Sequence, residues 1–214
     1  MARIAHHAIV ADLSSSDRSS QRRALKRIEA ISDDEDYEET EFVRNPKALY
    51  QYVDALAVHV QTHRSRKVRL WCTIYLQMIG KATKASIAAL CDALKDKNDE
   101  IVCGAITALA TYGPKAKSAL PTLVTKTKHP HCEVRWRVAY AIEQIGYLPP
   151  ESAQVLVEML DDEDGHTRAS AIRAMEKVLD PTRELKTRLE KMMQDKDEEA
   201  AWAATFLLEH WMKS

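Results

Sequence analysis

Apolar and polar positions along this chain repeat with a period of 33 residues from Val68 onward. Equivalent glycines and leucines mark the period: Gly80, Gly113 and Gly146, and Leu90, Leu123, Leu156 and Leu189. Self-similarity at a fixed period of this length is typical of stacked supersecondary units. Such proteins place their function on an extended surface rather than in one deep pocket.

Each period predicts two helices joined by a polar loop. In segment 86–96, Ile87, Leu90 and Leu94 follow the i, i+3, i+7 spacing of an apolar helical stripe. Segments 118–128 and 152–162 repeat this pattern and are predicted to be the first helices of their pairs. The loop after this segment contains Asp, Asn and Glu, and such residues favour the start of a helix. The second helix is expected to end at the repeated glycine, which is the usual residue for a helix C-terminus.

The second helix of each pair is the clearest repeated segment. Its copies are 68–80, 101–113, 134–146, 167–179 and 200–212. In the copy 134–146, the apolar positions are Val138, Ala139, Ile142 and Ile145. This spacing predicts one buried stripe per helix. Small residues at the fifth and eighth positions of the copies are expected to let neighbouring helices approach closely.

The period also organises the rest of the chain. Residues 1–31 are predicted to form a degenerate N-terminal repeat, and residues 46–214 five further repeats. Between them, residues 32–45 are predicted to be an acidic, flexible insert, because seven acids and no base lie between Ser32 and Glu41. The sequence therefore predicts an all-α, right-handed solenoid of about six helix pairs in a single domain.

Composition excludes some function classes. The net charge of −1 gives the whole chain no basic signature for nucleic acid or membrane. No apolar run approaches the roughly 18 residues of a membrane span, and the N-terminal histidines and aspartate do not fit a signal peptide. The four cysteines lack CxxC spacing and are predicted to be buried, reduced thiols. We therefore expect a cytoplasmic protein.

The loop acid, the Val-Arg pair that opens the second helix and the small-residue core before Ile-Gly together resemble HEAT-like repeats. The match is closest to the short variety associated with phycobilisome lyases, and it is strongest from Val68 to Leu179. It weakens in the first repeat and in the last, where Ala200 and Ala201 replace the Val-Arg pair. The TPLH signature of ankyrin repeats and the Trp, Gly and Tyr positions of tetratricopeptide repeats are absent.

The resemblance implies that the second helices line a concave face. It also implies that Arg69, Arg135 and Arg168 form a structural ladder with loop acids of adjacent repeats, rather than a binding site. Val102 stands at the equivalent position and is expected to interrupt the ladder and reduce rigidity.

Candidate binding residues lie at the third, fourth and seventh positions of the second helices. The candidates are Trp71, Ile74, Trp136, Arg137, Tyr140, Arg173, Trp202 and Phe206. Aromatic and Arg side chains are the usual energetic anchors of protein interfaces. Cys103 and Gly104 are expected to form a shallow saddle between aromatic clusters, while Arg22, Arg23 and Lys26 make the first repeat basic. None of these three positions holds an acid in any repeat.

Other functions remain open at this stage. Rings and Arg side chains also suit nucleic acid, but HEAT-like alkylpurine DNA glycosylases need a catalytic carboxylate in the cleft. HEAT-type deoxyhypusine hydroxylases bind iron through His-Glu pairs, which this chain lacks. His129, His131 and Cys132 have metal-ligand types without an evident fourth partner. A lyase-type enzyme subunit is allowed by the resemblance, although nothing indicates chromophore chemistry.

These observations favour a non-catalytic scaffold or adaptor that binds a protein or peptide along the aromatic and Arg-lined face. Because the face columns contain no acid, the partner is expected to be acidic with apolar anchors. Nucleic acid is the alternative partner, and no membrane, metal or cofactor is expected.

Overall fold

The computed structural model describes residues 6–30 and 46–213, and within these ranges the chain is helical without β-strands. The twelve α-helices are α1 (His6–Leu13), α2 (Arg18–Ala30), α3 (Val53–Thr62), α4 (Arg66–Ile79), α5 (Lys84–Ala93), α6 (Asp99–Tyr112), α7 (Leu120–Val124), α8 (Cys132–Ile145), α9 (Gln154–Met159), α10 (Gly165–Val178), α11 (Arg183–Met192) and α12 (Glu198–Lys213). They follow one another as six pairs, which confirms the predicted all-α class. The predicted acidic insert 32–45 lies outside the described residues.

The second helices begin and end as the sequence predicts. Asp164 caps α10 by accepting a hydrogen bond from the backbone N–H of Thr167 at 2.8 Å. Gly80 and Gly146 end α4 and α8 with φ values of 64° and 65°. A residue with a Cβ is strained in this left-handed region, so glycine is the residue that can terminate these helices without cost.

Two of the first helices are shorter than the sequence predicts. Segment 118–128 contains only the five-residue α7, preceded by a 3-10 helix over Gly113–Ala119. Segment 152–162 likewise contains only the six-residue α9, preceded by a short 3-10 helix over Pro150–Ser152. Prolines in and before these segments remove backbone donors and favour a tight opening turn over a full α-helical start.

The chain divides into two compact units, Met1–Tyr112 and Gly113–Ser214. In the first, α4 packs against α3 and α6, and α1 packs against α2. In the second, α10 lies between α8 and α12 and also packs against α9. Gly104 permits the close approach of α6 to α4, since a Cβ there would lie 2.8 Å from the Thr73 hydroxyl.

The repeated leucines are core residues in both units. Leu90, Leu123, Leu156 and Leu189 are each fully buried. This burial confirms the register that the 33-residue period assigns to the first helices.

The cysteines differ partly from the prediction. Cys72 and Cys103 are buried, and burial raises the pKa of the Cys72 thiol well above its usual range. Cys91 is only half-buried, and Cys132 is exposed at the start of α8. The expectation of buried thiols is therefore wrong for Cys132, because the first residue of α8 points away from the stripe that the helix buries.

Candidate functional site

Three buried or half-buried arginines at the start of second helices form the ladder that the resemblance implies. Arg135 Nε and Nη2 donate to the two carboxylate oxygens of Asp162 at 2.7 and 2.8 Å. Arg168 makes the same bidentate contact with Asp195, and Arg69 makes it with Asp96. Each aspartate lies in the loop of the following helix pair, so these arginines hold successive repeats together.

Each ladder arginine also fixes its own loop. Arg168 Nη1 donates to the backbone carbonyls of Asp162 and Glu163 at 2.7 and 3.2 Å. The accepting aspartate is in turn oriented by its own turn, as Asp195 Oδ1 accepts from the backbone N–H of Asp197. The ladder side chains therefore satisfy structural hydrogen bonds and are not available to a ligand.

Val102 interrupts this ladder, as predicted. It is buried within α6, and the 33-residue register places His129 where the other repeats have the accepting aspartate. Both the arginine and the aspartate of the ion pair are thus replaced in this repeat. The expected loss of rigidity stays a prediction.

The arginine ladder should make the free energy of unfolding decrease at low pH. Hydrogen bonding from Arg168 lowers the pKa of Asp195, and the opposing effect of burial is smaller. A folded-state pKa below the unfolded value of about 3.9 stabilises the fold above that pH, and the stabilisation is lost as pH falls through the folded pKa. We expect the free energy of unfolding, measured by denaturant titration from about pH 7 to about pH 3, to fall more steeply for the native chain than for Asp195→Asn. Parallel pH profiles would contradict this assignment.

The second unit brings six of the candidate binding residues onto one run of second helices. We call this set the aromatic face: Trp136, Arg137 and Tyr140 on α8, Arg173 on α10, and Trp202 and Phe206 on α12. Trp202, Phe206 and Tyr140 are 62%, 48% and 40% exposed, while Trp136, Arg137 and Arg173 are half-buried. Large aromatic side chains with this much accessible area are uncommon on a solvated surface.

Trp136 is held in place by two neighbours. The Arg137 guanidinium lies over its ring, 4.5 Å from the centroid. The His166 ring meets it edge-on from α10, with centroids 4.8 Å apart. Cation–π and edge-to-face contacts are both attractive, so the indole is fixed before any ligand arrives.

Trp202 and Phe206 form a second aromatic element one turn apart on α12. Their rings are stacked, with centroids 5.5 Å apart and planes inclined by 19°. Because both rings are exposed, the pair presents a flat apolar platform to solvent.

Acidic residues lie beside this face, and the sequence columns missed them. Glu133 accepts from Arg137 Nη2 at 2.6 Å, and Glu199 accepts from Arg173 Nη1 at 2.9 Å. Glu199 also contacts His166 Nδ1 at 2.8 Å; hydrogen bonding from His166 and then from Arg173 lowers the pKa of the Glu199 carboxyl despite burial. Both acids occupy the position immediately before the repeated second-helix segment, three residues ahead of the first column that was assigned to the face. The positive charge of the face is therefore largely matched within the fold.

The other two candidates, Trp71 and Ile74, lie on α4 in the first unit. Trp71 is only 7% exposed and packs on Tyr75, with ring centroids 5.5 Å apart. Ile74 is half-buried, and Cys103 of the expected saddle is buried. Trp71 therefore contributes to packing and offers little surface to a partner.

The basic residues predicted in the first repeat are exposed on α2. Arg23 binds Asp12 through Nε and Nη2 at 3.0 and 3.2 Å, whereas Arg22 and Lys26 point to solvent.

Within the ranges 6–30 and 46–213, no three His, Cys, Asp or Glu side chains come together as a metal ligand set, and His129, His131 and Cys132 do not form one. No helix of the described part is long and apolar enough to cross a membrane.

Paired helices, an arginine ladder and an exposed row of second-helix side chains define an α-solenoid repeat protein. The model of the HEAT-repeat family matches residues 87–176 and, in an overlapping match, 120–209. The chain belongs to the HEAT-repeat family.

Solved structures support the same fold. A designed armadillo repeat protein in complex with the peptide (KR)4 is 20% identical, with a TM-score of 0.70, covering 95% of this chain and 98% of that one. Computationally designed armadillo repeat proteins for modular peptide recognition give 21% identity and a TM-score of 0.68, covering 94% of this chain and 97% of theirs. An engineered protein gives 20% identity and a TM-score of 0.67, covering 96% and 95%. No curated protein matches the sequence.

Proposed function

We propose that this chain is a non-catalytic scaffold that binds a protein or peptide through the aromatic face of its second unit. The observation behind the proposal is the exposure of three aromatic rings, Tyr140, Trp202 and Phe206, on the second helices of one unit. Exposed aromatic clusters are unfavourable in water unless a partner covers them. Tyr, Trp and Arg also dominate the binding energy of protein interfaces.

The face is well suited to binding because its side chains are already ordered. Trp136 is fixed between Arg137 and His166, and Glu133 and Glu199 orient the two arginines. A partner therefore has little side-chain entropy to remove from this surface.

The chemistry of the partner follows from the same contacts. Apolar side chains are the main requirement, since the Trp202–Phe206 platform offers area and no charge. A carboxylate of the partner would reach Arg137 by displacing Glu133, which is one helical turn away and accessible to solvent. We therefore propose an apolar segment with a flanking acid, in which the apolar anchors supply most of the affinity.

The likeness to designed armadillo repeat proteins supports peptide binding as a use of this fold. The peptide named with one of them, (KR)4, is basic, which is opposite in charge to the partner proposed here. At 20% identity the likeness extends to the fold alone, so the specificity proposed for this chain rests on its own side chains.

The test starts from a random peptide library displayed on phage and selected against the native chain. Dissociation constants of the enriched peptides are then measured by calorimetry for the native chain and for Trp202→Ala/Phe206→Ala. We expect the double variant to bind at least about tenfold more weakly, since removing one interface hot spot costs about 2 kcal/mol or more. Tyr147→Ala is the matched control, because Tyr147 is a similarly exposed ring outside the aromatic face.

Two outcomes would count against the proposal. Enriched peptides that bind both variants as tightly as the native chain would remove the aromatic face from the interaction. Single-stranded oligonucleotides that bind the native chain at physiological salt and lose affinity in the double variant would assign the face to base stacking instead.

A further inference from the structure

Helix α2 in the first unit carries a dense group of cations that the proposed function does not use. We call these five residues the basic stripe: Arg18, Arg22, Arg23, Lys26 and Arg27. All five side chains are exposed, while Ala24 and Ile28 on the opposite side of α2 are fully buried. The helix therefore presents one basic face to solvent.

The nearby carboxylates compensate only part of this charge. Asp12 pairs with Arg23 and Arg27, at 3.0 and 3.4 Å. Asp17 uses its oxygens at the start of α2, where it accepts hydrogen bonds from the backbone N–H groups of Ser19 and Ser20.

The other three cations of the stripe have no carboxylate partner among the residues that the structure describes. Arg18, Arg22 and Lys26 are spaced by four residues, so they lie along one side of α2 over about 12 Å.

Among the residues that the structure describes, helix α2 and its neighbour α4 lack the exposed aromatic anchors of a peptide site. Helix α2 has no aromatic residue, and the aromatic residues of α4, Trp71 and Tyr75, are buried. Binding at this surface must therefore come from charge. A polyanion of high linear charge density holds condensed counterions, and their release on binding is favourable. Charge alone can therefore give measurable affinity for such a partner.

We propose that the basic stripe binds the phosphate backbone of duplex nucleic acid without reading its sequence. A duplex carries one charge per about 1.7 Å of axis, which is denser than an extended acidic peptide at about 3.3 Å per residue. Single strands fit less well, because their binding depends on exposed rings for base stacking. Arg, which supplies four of the five cations, makes bidentate contacts with phosphate oxygens.

The experiment measures fluorescence anisotropy of a labelled DNA duplex of about 20 base pairs, and of the RNA duplex of the same sequence, with the full chain from about 50 to about 200 mM salt. The variant is Arg18→Glu/Arg22→Glu/Lys26→Glu. The matched control is Lys84→Glu/Lys97→Glu/Lys115→Glu, which makes the same change in net charge at exposed lysines elsewhere. We expect the stripe variant to bind at least about tenfold more weakly than the native chain. The slope of the logarithm of the binding constant against the logarithm of salt concentration should become shallower by about 3. The affinity of the control should stay within about threefold of the native value.

Equal losses in the stripe variant and the control would overturn the proposal, since net charge alone would then explain binding. It would also be overturned if poly-glutamate as a ligand, or vesicles containing phosphatidylserine, bound the stripe more tightly than the duplexes. A neutral variant, Arg18→Gln/Arg22→Gln/Lys26→Gln, guards against misfolding, because it should melt like the native chain and bind at an intermediate level. Trp202→Ala/Phe206→Ala should leave duplex binding unchanged, which separates this test from that of the proposed function.

Discussion

Replacing Arg168 by Ala should lower the free energy of unfolding by about 3–5 kcal/mol, because it breaks a largely buried ion pair from one side. The Arg168 side chain is 5% exposed and its partner Asp195 is 12% exposed. Without the guanidinium, the Asp195 carboxylate loses its bidentate donor. The backbone carbonyls of Asp162 and Glu163 also lose the Nη1 group that donates to both of them. Urea unfolding followed by circular dichroism measures the change.

Arg188→Ala is the control for this prediction. Arg188 also pairs with an aspartate, Asp161, but the two side chains are 36% and 74% exposed. Exposed pairs contribute about 0–1 kcal/mol, so the control should lose less than about 1 kcal/mol. Equal losses at the two positions would mean that the ladder contributes no more than a surface ion pair.

The helix pairs could be predicted because the residues that repeat every 33 positions have strong preferences for particular places in a helix pair. Glycine is needed where φ is near 64°, as at Gly80, and the repeated leucines fill one buried position per repeat. The 3-10 openings before α7 and α9 could not be predicted in the same way. The apolar stripe is compatible with either helix type over so few residues, and tertiary packing decides between them.

The positions of the candidate side chains could be predicted in part, while their role in binding stays a prediction. The second-helix columns correctly give the helix side on which Trp136, Tyr140 and Phe206 lie, but they do not give exposure. Trp71 occupies the fourth column, and that column also holds Ser170 and Ala203, which are buried as well. A helical wheel fixes direction relative to one helix, whereas burial depends on the side chains of the neighbouring helices.

The acids of the face illustrate the same limit. The contact between Glu133 and Arg137 spans four residues of one helix, so its spacing was readable from the sequence. Glu199 instead reaches Arg173 and His166 across two helices, and no local spacing indicates such a contact. The sequence-based expectation of an acid-free face consequently overstated its positive charge.

The two units thus offer surfaces of different chemistry. The aromatic face of the second unit has matched charges and exposed rings, so its proposed ligand is mainly apolar. In the basic stripe of the first unit, three of the five cations have no carboxylate partner among the described residues, and α2 and α4 expose no ring, so its proposed ligand is a polyanion. A chain with a net charge of −1 can hold both surfaces because its charges are segregated locally.

Leu123→Ala should cost about 2–5 kcal/mol of unfolding free energy, the range for removing a fully buried leucine from a packed core. Leu123 has no solvent exposure and lies in α7, which has only five residues. A helix this short has little stability of its own and depends on tertiary packing, so loss of the buried Leu123 side chain should destabilise the whole pair of α7 and α8. Val124→Ala is the control, because the neighbouring Val124 is half-buried and should lose less. A loss below about 1 kcal/mol at Leu123 would show that the site is not a packed core position, and the 33-residue register would then fail in this repeat.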